Sequence, residues 1–170
     1  SNIEQIAGIG YDYVGISIDG LRATHDRFRR LEGAYDASMK AIRLCHARGI
    51  KVGMRFTLTR DNAHELPDLL QLMDDEGIDK FYLSHLNYAG RGNINRQDDA
   101  VLQTTRRAMD LLFDAAWGHV QRGARKEFVT GNNDADGVYL LFWVRRHFPH
   151  LEDPIRAQLA QWGGNSSGVN

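Results

Sequence analysis

The residues best able to do chemistry sit at the ends of short apolar runs. Tyr13-Val14-Gly15-Ile16-Ser17-Ile18-Asp19-Gly20 reads as a buried strand that finishes in a hydroxyl and a carboxylate. A charged segment follows it, Thr24-His25-Asp26-Arg27-Phe28-Arg29. Ligands of α/β proteins bind at the C-terminal ends of strands, which puts Ser17 and Asp19 where a ligand would be held. The alternative is that both cap the turn or helix that follows. Arg55 stands inside a second apolar run, Lys51-Val52-Gly53-Met54-Arg55-Phe56-Thr57-Leu58-Thr59. A guanidinium there is costly unless paired, so it calls for a ligand anion or an internal carboxylate. His85 and Asn87 close a third run, His85 either facing a ligand or hydrogen-bonded at the strand end.

Other chemistry-bearing groups carry less. Cys45 falls on the apolar face of a helix and reads as a small core residue. His147 and His150 flank Phe148-Pro149 with no third ligand nearby, a poor zinc site. Asn132-x-Asp134-x-Asp136-Gly137 opens like a calcium-binding loop, but its closing position is Trp143 and not a bidentate glutamate. A turn whose Asn and Asp side chains cap the next helix is the expectation there. The pairs Arg106-Arg107 and Arg145-Arg146 read as solvated faces, or as contacts to an acidic substrate.

The positioning elements follow from periodicity. Val14, Ile16 and Ile18 alternate, as a strand requires. Tyr35, Met39, Ile42 and Cys45 are spaced by three or four, the helical period, and Gly49 stands where a left-handed cap is wanted. Val52, Met54, Phe56 and Leu58 share one strand face. Asp61 or Asn62 is expected to cap a helix carrying Leu66, Leu69, Leu70 and Met73, with Pro67 near its start and Gly77 at its end. A third strand covers residues 80–86, and a polar loop runs over 87–97. A long helix is expected over 99–121 with Leu102, Met109, Leu112, Phe113, Ala116, Trp117 and Val120 inward. A short strand at 127–130 and two helices near 136–147 and 152–162 complete the pattern.

Strand–helix alternation argues for a parallel sheet. A whole eight-unit barrel takes about 250 residues, so 170 residues predict α/β architecture as a half TIM-type barrel with added C-terminal helices. Two parts are expected, residues 1–98 as the central βα units and residues 99–170 as the last barrel helix, a short strand and the C-terminal helices. The first strand would be an exposed edge, which favours edge pairing or strand exchange between two copies. A net charge of −1 leaves no electrostatic footprint for nucleic acid or a membrane surface. No apolar run reaches the roughly 18 residues of a spanning helix. One cysteine excludes an internal disulfide and suits a reducing cytoplasm.

The strand-end constellation resembles a known family. Gly15-Ile16-Ser17-Ile18-Asp19-Gly20, His25-Asp26 with Arg29 and Gly33, and the run Lys51 to Thr59 look like strands four to six of radical S-adenosylmethionine (SAM) enzymes of the SPASM type. Ser84-His85-Leu86-Asn87-Tyr88-Ala89-Gly90-Arg91-Gly92-Asn93, Glu127-Phe128-Val129-Thr130-Gly131-Asn132-Asn133-Asp134-Ala135-Asp136-Gly137 and Gln161-Trp162-Gly163-Gly164-Asn165 resemble the branch of that family acting in haem d1 biosynthesis. That branch removes propionate side chains from a decarboxylated sirohaem.

The resemblance implies roles residue by residue. Ser17 and Asp19 would contact the ribose and methionyl part of SAM, and Arg55 would pair with the methionyl carboxylate. Backbone groups at Met54 and Leu86 would flank the adenine. His85 and Asn87 would face cofactor or substrate, and Arg29 and Arg91 would meet tetrapyrrole carboxylates. SAM and a 4Fe-4S cluster are implied for the full-length parent. The family's three-cysteine loop and glycine-rich SAM motif are not in this sequence, and the loop-like Gly163-Gly164-Asn165-Ser166-Ser167-Gly168 suggests further chain. The expectation is a fragment with no metal site, no tightly bound cofactor and no activity of its own. A radical SAM enzyme acting on a peptide, and a non-catalytic α/β binding module, are the competing readings.

Overall fold

The computed structural model describes residues 8–88, 96–131 and 133–161. Its centre is one sheet of four strands in the order β1-β2-β3-β4: β1 Tyr13–Ser17, β2 Lys51–Thr57, β3 Lys80–Ser84 and β4 Glu127–Gly131. All three pairings are parallel, and Ser17, Arg55, Tyr82 and Val129 share one row across the sheet. Helices fill the crossovers: α1 Arg22–Arg29, α2 Ala34–His46, α3 Leu66–Asp75 and α4 Leu102–Gln121, with α5 Ala135–His147 and α6 Glu152–Gln161 after β4. This is the α/β half-barrel arrangement that the strand–helix alternation predicts. The sheet runs unbroken across residue 98, since β4 pairs directly with β3.

One face of the sheet is the core. Ile16, Met54, Phe81 and Phe128 form a row on it, flanked by Val52, Phe56 and Leu83. Met39, Ile42 and Cys45 from α2, Leu66, Leu69 and Met73 from α3, and Ala108, Met109 and Leu112 from α4 pack over them. Cys45 is a buried free thiol in that layer. Among the described residues no helix is long and apolar enough to cross a membrane.

Three local features differ from the sequence reading. The charged segment after β1 is helical, eight residues of α1, closed by Arg30 in the left-handed region with φ 55°. It holds because Asp26 reaches back to the start of α2, accepting the Gly33 and Tyr35 backbone N–H groups at 2.8 Å each. Neither Asp61 nor Asn62 caps α3. Asn62 is buried and serves the strand ends, its Oδ1 accepting the Thr59 N–H at 2.7 Å. In α4 the packed centre is Ala108, Met109 and Leu112, while Leu102 and Val120 at its two ends are exposed. The α5 helix docks on α4 through aromatic contacts, Phe113 against Trp143 and Trp117 against Phe148, with the Trp143 indole donating to Asp114 at 3.1 Å.

Candidate functional site

Opposite the core lies a face that no helix among the described residues covers. Strand alternation puts Tyr13, Gly15 and Ser17 of β1, Gly53, Arg55 and Thr57 of β2, Lys80, Tyr82 and Ser84 of β3, and Glu127, Val129 and Gly131 of β4 on it. Three cations stand there: Lys51 is exposed opposite Tyr13, and the other two are held in different circumstances. Lys80 pairs with Glu127 at 2.6 Å, and its ammonium lies 4.8 Å from the centre of the Tyr13 ring. Arg55 has no carboxylate partner among the described residues; its guanidinium rests over the Tyr82 ring, 4.8 Å from the centroid. Arg55 is exposed on this open side, and so escapes the burial cost that an arginine inside an apolar strand would otherwise incur. Ser17 is its neighbour in the same row.

The C-terminal end of β1 is a buried polar knot. Asp19 has no exposed surface. Its Oδ1 accepts the Thr57 N–H at 3.0 Å, and its Oδ2 pairs with the Arg29 guanidinium. The Asp19 N–H donates to His25 Nδ1 at 2.9 Å, which makes His25 the tautomer with its proton on Nε2. Burial pushes the His25 pKa down, against the pull of Asp19. Asn62 donates to the Asp19 carbonyl at 3.0 Å and the Thr57 carbonyl at 2.8 Å. Glu65 closes the knot, accepting the Leu21 N–H and the Thr24 hydroxyl at 2.7 Å each. Gly20 is required here: its φ is +153°, and a Cβ would come 2.5 Å from both Glu65 Oε2 and Thr24 Cγ2.

Beside the knot is a cleft of ≈ 290 Å³, lined by Arg27, Phe28, Arg30, Thr59 and Leu86 among others. At the far end, His85 Nε2 lies 3.0 Å from Asp136 Oδ2, joining the end of β3 to the first turn of α5, with Asp136 buried.

The residues singled out from sequence therefore divide. Ser17 and Arg55 lie together on the open face, and Leu86 lines the cleft. Asn87 is exposed beyond the end of β3. Met54 turns a fully buried side chain into the helix layer, away from the open face. Asp19 and Arg29 are spent on each other inside the knot. His85 is tied to Asp136, and Arg91 lies outside the described residues. Arg145 pairs with Glu152, and Arg146 with Asp110. Sequence reasoning passed over Tyr82 and Glu65, and quoted His25 as part of a motif without giving it a role. Tyr82 could have been found, because alternation places it on the side of β3 that matches Arg55 once the strands are in register.

The fit to the implied cofactors can be tested on these residues. An exposed guanidinium without a carboxylate, beside a serine hydroxyl, suits the carboxylate of SAM. An iron–sulfur cluster does not fit: the one thiol is buried among helices, and no group of three or more His, Cys, Asp or Glu among the described residues could hold a metal ion.

No protein-family model matches the chain. Pre-heme d1 synthase of Dinoroseobacter shibae is 56% identical over 99% of this chain and 42% of its own length. Fe-coproporphyrin III synthase of Methanosarcina barkeri is 35% identical over 98% of this chain, again 42% of its own length. The chain thus spans less than half of these relatives. Among solved structures, SuiB of Streptococcus suis bound to its precursor peptide SuiA superposes with a TM-score of 0.64 at 18% identity, covering 82% of this chain and 31% of SuiB. With sequence and fold in agreement, the chain is a homologue of pre-heme d1 synthase over part of that protein's length, and it shares the fold of SuiB.

Proposed function

We propose that this chain is the part of a haem d1 biosynthetic enzyme that presents SAM and a tetrapyrrole to each other. The full enzyme would remove propionate side chains from a decarboxylated sirohaem. The observation that carries the reading is Arg55, a guanidinium with no carboxylate partner among the described residues, on the open face of a parallel half-barrel. In the full-length parent, SAM given one electron by a cluster held elsewhere would break into methionine and a 5′-deoxyadenosyl radical. The residues of this chain bind and orient. Arg55 takes the methionyl carboxylate in a forked pair, Ser17 donates to the polar part of SAM beside it, and backbone groups at Leu86 and Met54 border the adenine. Asp19 acts from behind by fixing the end of β1, and Arg29 neutralises it. His85 and Asn87 face the substrate side, with Arg91 offering a cation to a tetrapyrrole carboxylate.

The cluster and the remaining SAM contacts come from elsewhere in the parent, so the chain alone is inactive. We assign the parent to the cytoplasm, where Cys45 and the cluster's thiols stay reduced. The unpaired outer edge of β1 pairs two copies of the isolated chain.

The test uses the full-length parent, reconstituted anaerobically with reductant, SAM and decarboxylated sirohaem. Formation of 5′-deoxyadenosine with loss of propionates supports the reading. No 5′-deoxyadenosine would exclude the enzyme class. For the isolated chain, equilibrium dialysis showing sub-micromolar SAM affinity would overturn its inactivity. The likeness to SuiB, solved with a precursor peptide, favours a second reading in which a ribosomal peptide is the substrate. Tight tetrapyrrole binding by the parent with no peptide turnover decides against it.

A further inference from the structure

Arg55 and Lys80 on the open face are held in different ways. Lys80 is neutralised by Glu127 at 2.6 Å, whereas Arg55 is held by an uncharged ring, Tyr82, at 4.8 Å. A ring on one face of the guanidinium fixes its plane without cancelling its charge, and leaves the N–H groups at its edge free to donate. A carboxylate in the place of Tyr82 would fix the plane too, but would occupy the same donors that a ligand needs.

The surrounding backbone is cut to fit this stack. At Gly15 on β1, a Cβ would lie 3.0 Å from Arg55 Cδ, so the glycine lets the arginine stem lie flat against the sheet. At Gly131 on β4, a Cβ would fall inside the van der Waals radius of the Tyr82 hydroxyl, so a second glycine lets the ring lie across the neighbouring strand. Neither glycine has a positive φ, so backbone conformation does not demand glycine at either position. Clearance for Arg55 and Tyr82 does.

We infer that Tyr82 is a positioning residue: it holds the Arg55 guanidinium, still charged, with its donor edge ready for an incoming carboxylate. The inference rests on the proposed reading of this face as the one that receives SAM. Exposed cation–π contacts are each worth about two- to five-fold in an equilibrium constant.

The experiment measures SAM affinity in the reconstituted full-length parent by equilibrium dialysis. It compares Tyr82→Leu, Tyr82→Phe, Arg55→Ala and the Tyr82→Leu/Arg55→Ala double variant, with a SAM analogue lacking the methionyl carboxylate as second ligand. Tyr82→Leu is expected to weaken SAM about two- to five-fold and leave the decarboxylated analogue unaffected. Tyr82→Phe, which keeps the ring, is expected to recover most of that loss. The double variant is expected to be no weaker than Arg55→Ala. A merely structural role for Tyr82 would weaken both ligands alike, and that result overturns the inference. Loss of SAM affinity in Arg55→Ala with none in Tyr82→Leu also overturns it, and leaves the reading of the face intact. If neither variant affects SAM, that reading fails and the inference with it.

Discussion

Replacing Asp19 separates a scaffold from a ligand contact. Its side chain has no exposed surface and serves two partners, the Thr57 N–H at 3.0 Å and the Arg29 guanidinium. Asp19→Ala orphans the Thr57 donor, a loss of about 1–3 kcal/mol. It also strips Arg29 of its partner. The Arg29 side chain is 35% exposed and can turn to water, so that part stays near about 0.5–1 kcal/mol. The total expected is about 2–4 kcal/mol. Asp19→Asn keeps an amide oxygen for Thr57 and loses only the charge, so about 1 kcal/mol is expected. Urea unfolding of the two variants beside the parent sequence measures both. Equal costs for Asn and Ala would refute the reasoning, since the Thr57 hydrogen bond would then count for nothing. So would a loss of SAM binding by the full-length Asp19→Asn enzyme at unchanged stability, which would make Asp19 a contact to the cofactor.

Four further outcomes follow from the geometry. Burial lowers the pKa of both His25 and His119, the latter despite Asp74 at 3.2 Å. The unfolded chain takes up protons near pH 6.5 that these folded imidazoles resist. Stability should therefore be independent of both above about pH 6.5 and fall as pH drops below it, read from urea midpoints between about pH 5 and 8. Gly20→Ala should cost at least about 1–3 kcal/mol, through its φ of +153° and the 2.5 Å approach to Glu65. Gly49→Ala, with φ +70° and open space around it, should cost about 1 kcal/mol by the same unfolding assay. The Glu152 carboxyl, held down to about 2 by Arg145 and then Arg156, should titrate near that value by NMR and rise toward the ordinary range in Arg145→Ala. Its contribution to stability is present above the ordinary glutamate range and is lost as pH falls through about 2.

Much of the fold is written in the alternation of single segments. Val52, Met54 and Phe56 face one way because a strand has period two, and all three are fully buried. Gly49 and Gly77 close α2 and α3 with φ of 70° and 67°, as helix stops do. What escapes a single segment is whatever two segments settle between them. The segment Arg22–Arg29 has almost no apolar face, and it is a helix because Asp26 and Glu65 tie its ends to α2 and to the loop before α3. Asn62 looks like a helix cap by position, yet its amide is claimed by Asp19, Thr57 and Thr59. Arg55 was legible as a residue in need of a partner. That the partner is a ring on the next strand depends on register, which only the assembled sheet decides.

The polar knot has a consequence for anyone recombining this chain with its relatives. Asp19, His25 and Thr24 come from the segment after β1, while Thr57, Asn62 and Glu65 come from the segment after β2. Neither segment satisfies all of its own polar groups, so the two are one unit of inheritance. A chimaera that exchanges residues 18–25 without residues 57–65 leaves the donors and acceptors of both halves facing strangers. The crossover points compatible with folding lie outside the pair.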